Sequence, residues 1–310
     1  MISAVKIEEM TFRSEGVDCA ARVYRPDVAP GKATPCVVMA NGFSLTRDDG
    51  LPAFAERFAG EGITALTFDF RHLGGSGGEP RQVINTDRQQ ADFGAAVSFA
   101  RGLEGIDADA VAVWGFSSGG GLAIYTAADD HRIAAAIALC PATDTIALLR
   151  RMPMRTLHAV NVAILRNMLG RQRVHIPVAG RPGSKAWFSQ PEALPGFDAI
   201  RGDHSLWRNE YLPLSFAGAT SFRAVRVAHR VRCPLFVCIG EEDHVVPRRA
   251  AERSAERAPR GERGVYPIDH FGGFLGEGFE RVVADQIEFL RRHGLAGRVP
   301  AEAAATQGQA

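Results

Sequence analysis

A serine between glycines, in Gly115-Phe116-Ser117-Ser118-Gly119, is the pattern with the clearest chemical meaning in this sequence of 310 residues. The pattern fits G-x-S-x-G, follows the apolar run VAVW and precedes the helix-forming run GGLAIYTAA. On a sharp strand-to-helix turn the serine hydroxyl is exposed, and the two glycines remove side chains that would collide there. We therefore predict that Ser117 is a nucleophile. The alternative is a glycine-rich turn that contains a serine by chance.

A serine hydroxyl needs a general base, and the base needs a group that orients it. Among the nine histidines, His270 follows the last predicted strand in the stretch Asp269–Gly273. A histidine there reaches over the carboxyl edge of a parallel sheet toward Ser117, so we predict His270 as the base. His293 belongs to the last predicted helix and fits a positive charge at a helix C-terminus. The alternative for His270 is an ordinary exposed loop residue.

Two aspartates compete for the role of the orienting acid. Asp243 lies in GEEDHVVP, a loop that leaves a buried strand at Gly240 and ends where a helix begins after Pro247. Asp144 follows the preceding predicted strand, where some related enzymes have their acid, and it fits a helix N-cap equally well. We predict Asp243 as the acid and keep Asp144 as its competitor.

The oxygen that becomes negative during acyl transfer needs two backbone N–H donors. We expect one from Ser118, directly after the nucleophile. The other is expected from the loop after the apolar run PCVVMA, whose sequence is Asn41-Gly42-Phe43-Ser44. Gly42 allows a tight turn, so the amide of Phe43 is the predicted second donor. A simple Asn-Gly β-turn is compatible with that role.

Short β-rich runs alternate with longer helical patterns along the chain, which is typical of a mostly parallel sheet with helices on both faces. The first two strands are predicted to form a hairpin. The predicted strands lie near 4–13, 19–26, 35–40, 63–70, 110–114, 133–140, 233–239 and 264–268. The predicted helices lie near 51–60 and 87–103, from 117, from 248, and near 279–292.

The alternation of strands and helices is interrupted in the middle of the chain. We predict a core made of residues 1–143 and 229–296, and a helical cap inserted at 144–228. Residues 297–310, rich in alanine and small polar residues, are predicted to be a disordered tail.

The predicted cap has an unusual charge pattern, because residues 145–191 contain eight cations and no Asp or Glu. One interpretation is an apolar acyl pocket with a basic rim that attracts an anionic, carrier-linked substrate. The other is a surface for packing or homodimer formation, with the arginines in solvent. Aromatic walls are expected from Trp187, Phe188, Trp207 and Tyr211.

Composition limits the class of protein further. The chain is 46% hydrophobic and 23% charged with a net charge of +1, which gives no reason to expect nucleic-acid binding. The five cysteines lack the spacing of a metal site, and most lie in apolar runs, so we expect buried thiols and no metal. Because no secretory signal or membrane-spanning run is apparent, we expect a cytoplasmic enzyme without membrane attachment.

The motifs also occur in the order found in one enzyme group. They are Asn41-Gly42-Phe43, DFRHLGGSGG at 69–78, GFSSGG at 115–120, GEEDHVVP at 240–247 and DHF at 269–271. Together they resemble the α/β hydrolases related to dienelactone hydrolase, in particular bacterial hydrolases akin to fungal polyketide transferase and thiohydrolase proteins. The resemblance covers about residues 1–143 and 230–293, and the cap only loosely.

The resemblance implies an α/β-hydrolase fold with an inserted helical cap. It also implies hydrolysis of a carboxylic ester or thioester of a small acyl substrate through an acyl-enzyme, without metal or organic cofactor. The implied roles are Ser117 as nucleophile, Asp243 as acid, His270 as base, and the amides of Phe43 and Ser118 as oxyanion donors. Acyl transfer to an alcohol or amine, and ligand binding without catalysis, are the alternatives.

The sequence departs from this family in two ways. Dienelactone hydrolase itself has a cysteine nucleophile and little cap, so its lactone substrate does not carry over to this chain. Asn41 stands where many relatives have a histidine before the glycine.

Overall fold

A computed structural model describes residues 5–29, 31–170, 173–214 and 222–296 of the chain. The first two strands, β1 (Lys6–Ser14) and β2 (Val17–Arg25), pair antiparallel over their whole length. Glu15 and Gly16 between them have positive φ angles of 46° and 84°, the backbone of a tight two-residue hairpin turn. The predicted hairpin is thus confirmed.

The remaining elements alternate along the chain for most of its length. They are β3 (Thr34–Ala40), α1 (Leu51–Gly60), β4 (Thr64–Phe68), α2 (Thr86–Arg101), β5 (Ile106–Phe116), α3 (Ser118–Asp129), β6 (Ala136–Leu139), α4 (Thr145–Leu149), α5 (Met154–Met168), α6 (Ala193–Ala199), α7 (Ala224–Val227), β7 (Leu235–Gly240), α8 (Arg248–Arg257), β8 (Gly261–Tyr266) and α9 (Gly276–Arg292).

The strands of the described residues form one sheet in the order β1-β2-β4-β3-β5-β6-β7-β8. The pairings β1–β2 and β2–β4 are antiparallel, and all the others are parallel. One face of the sheet packs on α1 and α9, and the other packs on α2, α3 and α8. Every residue of β4, β6 and β7 is buried, as expected for parallel strands covered on both faces. The predicted mostly parallel sheet with helices on both faces is confirmed.

Two strands begin three or more residues earlier than predicted. β8 starts at Gly261 rather than Gly264, and β5 starts at Ile106 rather than Ala110. The added residues alternate between more and less exposed positions. They therefore lack the continuous apolar run that marks a buried strand in the sequence.

A long connection between β6 and β7 contains α4 to α7, in the region where the cap was predicted. Within α5, Thr156, Val160 and Ala163 are buried at helical spacing, so one side of this helix faces the protein. The limits 144 and 228 of the cap stay a prediction, and the predicted tail at 297–310 lies outside the described residues. Within the described ranges, no helix combines the length and the apolar character needed to cross a bilayer.

Candidate active site

Ser117 occupies the sharp turn between β5 and α3. Its φ of 54° and ψ of −117° lie in a region that side-chain-bearing residues rarely adopt. Two hydrogen bonds hold this backbone: the N–H of Ser117 donates to the carbonyl of Leu139 (2.9 Å), and its carbonyl accepts from the N–H of Ala142 (2.8 Å). The end of β6 therefore fixes the strained turn in place.

The two glycines of the motif are required by close backbone packing. A Cβ on Gly115 would lie 2.0 Å from the carbonyl oxygen of Gly119. A Cβ on Gly119 would lie 2.5 Å from the carbonyl oxygens of Ala40 and Asn41 at the end of β3. Because backbone atoms cannot yield as a flexible side chain can, the helix start approaches the sheet this closely only with glycine at both positions.

The structure brings Ser117, His270 and Asp243 into one chain of hydrogen bonds. The Nε2 of His270 lies 3.0 Å from the Oγ of Ser117, and its Nδ1 lies 2.7 Å from the Oδ2 of Asp243. Because the carboxylate only accepts, Nδ1 carries the proton and Nε2 is left to accept from the serine hydroxyl. All three side chains are buried. We refer to these residues as the Ser-His-Asp cluster.

The carboxylate of Asp243 is held by its own loop. Its Oδ1 accepts hydrogen bonds from the N–H groups of Val245 (2.9 Å) and Val246 (3.0 Å), which leaves Oδ2 for the imidazole. The N–H of Glu242 donates to the carbonyl of Ile268 at 3.1 Å. This bond ties the loop after β7 to the chain after β8, and so it places Asp243 opposite His270.

The loop that carries His270 is shaped by the residue before it. The Oδ1 of Asp269 accepts from the N–H groups of Phe271 (2.9 Å) and Gly272 (2.7 Å), an arrangement that stabilises a turn. The imidazole ring packs against Phe116 and Phe271, with ring centroids 4.9 Å and 5.0 Å apart. The ring of His270 is therefore fixed by packing as well as by hydrogen bonds.

Asp144, the competing candidate for the acid, has other partners. Its carboxylate caps α4 by accepting from the N–H groups of Ile146 and Ala147, and it forms an ion pair with Arg223 at 2.7 Å. Partial burial raises the pKa of Asp144, but the hydrogen bonds from Arg223 and the amides outweigh that effect. Its pKa therefore lies below the ordinary value. The imidazole of His270 contacts Asp243 instead.

Asn41 organises the loop after β3. Its side-chain Nδ2 donates to the carbonyls of Thr46 and Asp49, both at 2.7 Å, and its Oδ1 accepts from the N–H of Gly42 at 2.8 Å. Three hydrogen bonds of one buried side chain thus fix a turn that lies beside Ser117. The sequence showed only an Asn-Gly pair here, and the loop-holding role of Asn41 was not predicted.

The amides of Phe43 and Ser118 are the predicted oxyanion donors. Neither N–H donates a hydrogen bond to another residue in the described part of the chain. Ser118 is the first residue of α3, where a backbone N–H has no partner within the helix. An ideal Cβ on Gly42 would lie 3.1 Å from the Cβ of Ser117, so the loop that carries Phe43 touches Ser117.

A cavity of about 100 Å³ opens beside Ser117. Most of its wall is apolar, and the connection between β6 and β7 contributes a large part of it. Of the predicted aromatic walls, Trp187, Phe188 and Tyr211 line the cavity, whereas the indole N–H of Trp207 donates to Ser44. The lining residues are Phe43, Ile84, Asn85, Thr86, Gln89, Ser117, Ser118, Ala142, Thr145, Leu148, Val160, Trp187, Phe188, Tyr211, Pro213, Phe222 and Val246.

Aromatic rings of the connection pack on Phe43. The ring of Phe43 stacks on Trp187 with centroids 5.3 Å apart and an interplanar angle of 4°. Tyr211 packs edge-on against Phe43, also at 5.3 Å. The connection therefore supports the same loop that carries the predicted oxyanion donor. No local sequence signal shows this contact.

The cations between 145 and 191 lie on the outside of the connection. All of them within the described residues are exposed, and none forms an ion pair there. Arg171 lies outside the described residues. Several apolar side chains of the same segment are also exposed, namely Met154, Leu165, Met168 and Leu169. Leu148 and Val160 of this segment line the cavity instead.

Cys140, Asp243 and His270 bring potential metal-ligating atoms within 4.8 Å of one another. Burial raises the pKa of the Cys140 thiol well above its ordinary value, and nearby Asp243 raises it further. A protonated thiol is a poor ligand, and the 2.7 Å contact between His270 and Asp243 is a hydrogen bond with no space for an ion. The donor set therefore fits a hydrogen-bonded pair better than a metal centre.

Sequence comparison shows which known proteins this chain resembles. The family described as serine aminopeptidase, S33 (Hydrolase_4) matches residues 31–271. The chain is 38% identical to the quorum-quenching protein AidA of Acinetobacter baumannii, over 92% of this chain and 94% of that protein. It is 29% identical to the thiohydrolase aneE of Aspergillus aculeatus, over 89% of this chain and 90% of that protein.

Solved structures resemble the fold. The α/β hydrolase GrgF from Penicillium sp. sh18 superposes with a TM-score of 0.77 at 23% identity, covering 93% of this chain and 99% of that chain. At this level of identity the likeness shows a shared α/β-hydrolase architecture.

Proposed function

Because the chain belongs to the serine aminopeptidase S33 family of α/β-hydrolase enzymes, we propose that it cleaves a carboxylic ester or thioester with Ser117 as its nucleophile. The observation that carries the proposal is the hydrogen-bond chain from Ser117 through His270 to Asp243. A serine hydroxyl becomes an effective nucleophile when a neighbouring base accepts its proton as it attacks.

In the first half of the proposed reaction, Ser117 attacks the substrate carbonyl while Nε2 of His270 accepts its proton. Asp243 accepts the Nδ1–H bond throughout and stabilises the imidazolium that forms. The imidazolium then donates its proton to the leaving alcohol or thiol. The result is an acyl group on the Oγ of Ser117.

The tetrahedral intermediate places a negative charge on the former carbonyl oxygen. We propose that the amides of Phe43 and Ser118 donate to this oxygen, since neither donates a hydrogen bond elsewhere among the described residues and both lie on segments next to Ser117. The N-terminus of α3 adds a favourable dipole at the same point. Loss of one such donor typically reduces turnover by roughly 10²–10³-fold.

In the second half, water attacks the acyl-enzyme with His270 again as the base, which releases the acid and restores Ser117. An alcohol or amine in place of water would give acyl transfer by the same chemistry. The relative aneE is named a thiohydrolase, which supports a thioester as the substrate of this chain.

Labelling with a fluorophosphonate, followed by peptide mapping, tests the nucleophile. We expect the label on Ser117, with labelling abolished in Ser117→Ala and retained in Ser118→Ala. A label on another residue, or none on folded protein that turns over esters, would refute the assignment. Folded protein that neither labels nor turns over substrate would instead favour the binding role.

A panel of esters and acyl thioesters with chains of different length tests the reaction class. Product analysis in the presence of an alcohol separates hydrolysis from acyl transfer, because transfer yields a new ester. We expect the free acid as the main product.

A further inference from the structure

The loop after β7, which carries Asp243, is held from outside as well as by its own carboxylate. Three successive N–H groups of this loop have side-chain acceptors. Those of Val245 and Val246 donate to Asp243 itself. That of His244 donates to the Oε1 of Glu192 at 2.9 Å. Glu192 belongs to the connection between β6 and β7 and directly precedes α6. The connection therefore holds the amide in this row that Asp243 leaves open.

Glu192 makes two contacts with His244, and they differ in strength. The side chain of Glu192 is 10% exposed, whereas that of His244 is 68% exposed. The Oε1 of Glu192 lies 3.3 Å from the Nδ1 of His244, which is an ion pair only when the imidazole is protonated, and a pair with one partner in solvent contributes little. The bond from the backbone N–H has a charged, nearly buried acceptor, and such bonds are the stronger kind. The backbone contact is therefore the one that holds the loop.

The same helix also packs on the loop that carries His270. A Cβ on Gly196 of α6 would lie 2.0 Å from the ring of Phe271, so α6 approaches this ring as closely as a glycine allows. The ring of Phe197 packs on Phe271 with centroids 5.2 Å apart, and Phe271 in turn packs on His270. The connection thus contacts both loops that form the acid–base pair.

The chain after α6 reaches a third loop of the site. The ring of Trp207 stacks on Phe197 with centroids 5.3 Å apart, and its indole N–H donates to the Oγ of Ser44 at 3.0 Å. Ser44 follows Phe43, whose amide is a proposed oxyanion donor. One short stretch of the connection, residues 192–207, is therefore in contact with the loops after β3, β7 and β8.

We propose that Glu192 is a positioning residue for the acid: by holding the N–H of His244, it keeps the carboxylate of Asp243 aligned with the imidazole. This inference rests on the proposed acyl hydrolysis and adds to it a residue of the connection. The described wall of the cavity does not include Glu192, so this residue acts through Asp243 and not on the substrate. Displacement of a catalytic group by about 1 Å costs up to roughly 10²-fold in rate.

Steady-state kinetics on p-nitrophenyl esters tests the role of Glu192. In Glu192→Ala, kcat should fall by roughly 10- to 100-fold while KM stays within about twofold of the wild-type value. Glu192→Gln should keep most of the activity, because its side-chain oxygen still accepts from the N–H of His244. Glu192→Asp should lose activity as alanine does, because the shorter side chain withdraws the carboxylate from that N–H. Higher activity of Gln than of Asp shows that the hydrogen bond matters and not the charge, and it decides the case if Glu192→Ala does not fold.

Glu61→Ala is the matched control, because Glu61 accepts a hydrogen bond from Arg291 at 2.9 Å and so joins the end of α1 to α9. This variant also loses a bond between two distant segments, but it should keep its kcat. A displaced Asp243 stabilises the imidazolium less, so the acidic limb of the pH profile of kcat/KM should move to lower pH in Glu192→Ala alone. A normal kcat with an unchanged profile in Glu192→Ala would overturn the proposal. Equal losses of kcat in both variants would also do so, since that pattern indicates stability alone.

Proton NMR separates this inference from the proposed reaction, because it needs no turnover. The proton on Nδ1 of His270 lies in a buried hydrogen bond of 2.7 Å, and short bonds to a carboxylate move the proton resonance far downfield. Its loss in Asp243→Asn assigns the signal, which should weaken or move upfield in Glu192→Ala and persist in Glu192→Gln.

The outcomes of the NMR measurement are distinct. A downfield signal that is unchanged in Glu192→Ala contradicts the positioning role even if Ser117 is the nucleophile. A signal that weakens in Glu192→Ala, in a protein whose wild type cleaves no ester, contradicts the reaction and retains the positioning role.

Discussion

The two sides of the cavity differ in how their polar atoms are satisfied. In the Ser-His-Asp cluster, the Oγ of Ser117, both ring nitrogens of His270 and both carboxylate oxygens of Asp243 have hydrogen-bond partners. Among the other residues that line the cavity, the polar side-chain atoms of Thr86, Trp187 and Tyr211 have none among the described residues. The difference shows that hydrogen bonds fix the Ser-His-Asp cluster, whereas ring packing holds the side chains of Trp187 and Tyr211.

The two sides also come from different parts of the fold. The Ser-His-Asp cluster lies on loops directly after β5, β7 and β8, whose parallel pairing fixes the distances between them. The aromatic part of the cavity wall, Trp187, Phe188 and Tyr211, comes from the connection between β6 and β7. A catalytic group on a rigid sheet edge and a recognition group on a longer connection can vary separately.

The largest expected effect is that of Ser117→Ala. Removal of the nucleophile should reduce kcat by roughly 10⁴- to 10⁶-fold on any ester that the wild-type protein cleaves. Ser118→Ala should keep most of the activity, because the substitution retains the amide that is proposed to hold the oxyanion. Steady-state kinetics on p-nitrophenyl esters measures both, and a near-normal kcat in Ser117→Ala would end the assignment.

Asp243→Asn should reduce kcat by about 10⁴-fold, since an amide no longer fixes the imidazole with its proton on Nδ1. The hydrogen bonds from Val245 and Val246 can still reach the side-chain oxygen, so folding should survive. Circular dichroism checks the fold alongside the kinetics. If Asp144→Asn lost more activity than Asp243→Asn, the order of the two acids would be reversed.

Asn41→Ala should reduce kcat by roughly 10- to 100-fold, because the turn that positions the amide of Phe43 loses three hydrogen bonds. Asn167 offers a matched control, since its side chain also makes three hydrogen bonds to backbone groups, at the end of α5. Both alanine variants should lose stability, but Asn167→Ala should retain its kcat. Equal losses of kcat in the two variants would mean that Asn41 affects activity only through the stability of the fold.

Asp144→Asn should lower the free energy of unfolding, because Asp144 pairs with Arg223 and not with the imidazole of His270. Asparagine still caps α4, so the loss is the ion pair with Arg223, worth roughly 1 kcal/mol at neutral pH. Because the folded protein lowers the pKa of Asp144, this stabilisation is present above the ordinary value of 3.8 and is lost as the pH falls below it. Urea unfolding across this range should show wild-type and variant converging in acid, and a gap that persists at low pH would refute the ion pair.

The smallest expected effects are changes in the melting temperature of two Tyr→Phe variants. Tyr266→Phe removes a hydrogen bond to Asp285 and should cost about 1 kcal/mol, a fall in Tm of roughly 2–4 °C. Tyr211→Phe removes a hydroxyl without a partner among the described residues, so Tm should stay unchanged or rise. Differential scanning calorimetry without ligand measures both. A clear fall in Tm for Tyr211→Phe would show that its hydroxyl is already satisfied.

Much of the architecture could be predicted from the sequence because its signals are local. Buried parallel strands need apolar runs, and the sharp turn at Ser117 needs glycine at 115 and 119, where a Cβ would overlap backbone atoms. The starts of β5 and β8 were placed less well. There the alternation of exposed residues in β8 replaces an apolar run.

The candidate site was only partly accessible from the sequence. Ser117 and His270 stand out because each follows a strand in a motif, but Asp144 and Asp243 have equally plausible positions in the chain. The bond between the loops after β7 and β8 brings Asp243 to the imidazole, while Arg223 and the start of α4 hold Asp144.

Short-range patterns in the chain predict the order of strands and helices outside the long connection, the turn at Ser117 and the loop of His270. The packing of distant segments instead sets which carboxylate meets the imidazole and how Trp187 and Tyr211 pack on Phe43. These contacts join residues more than a hundred positions apart or loops of different strands. Their geometry depends on how the sheet and the connection pack together, which no local pattern encodes.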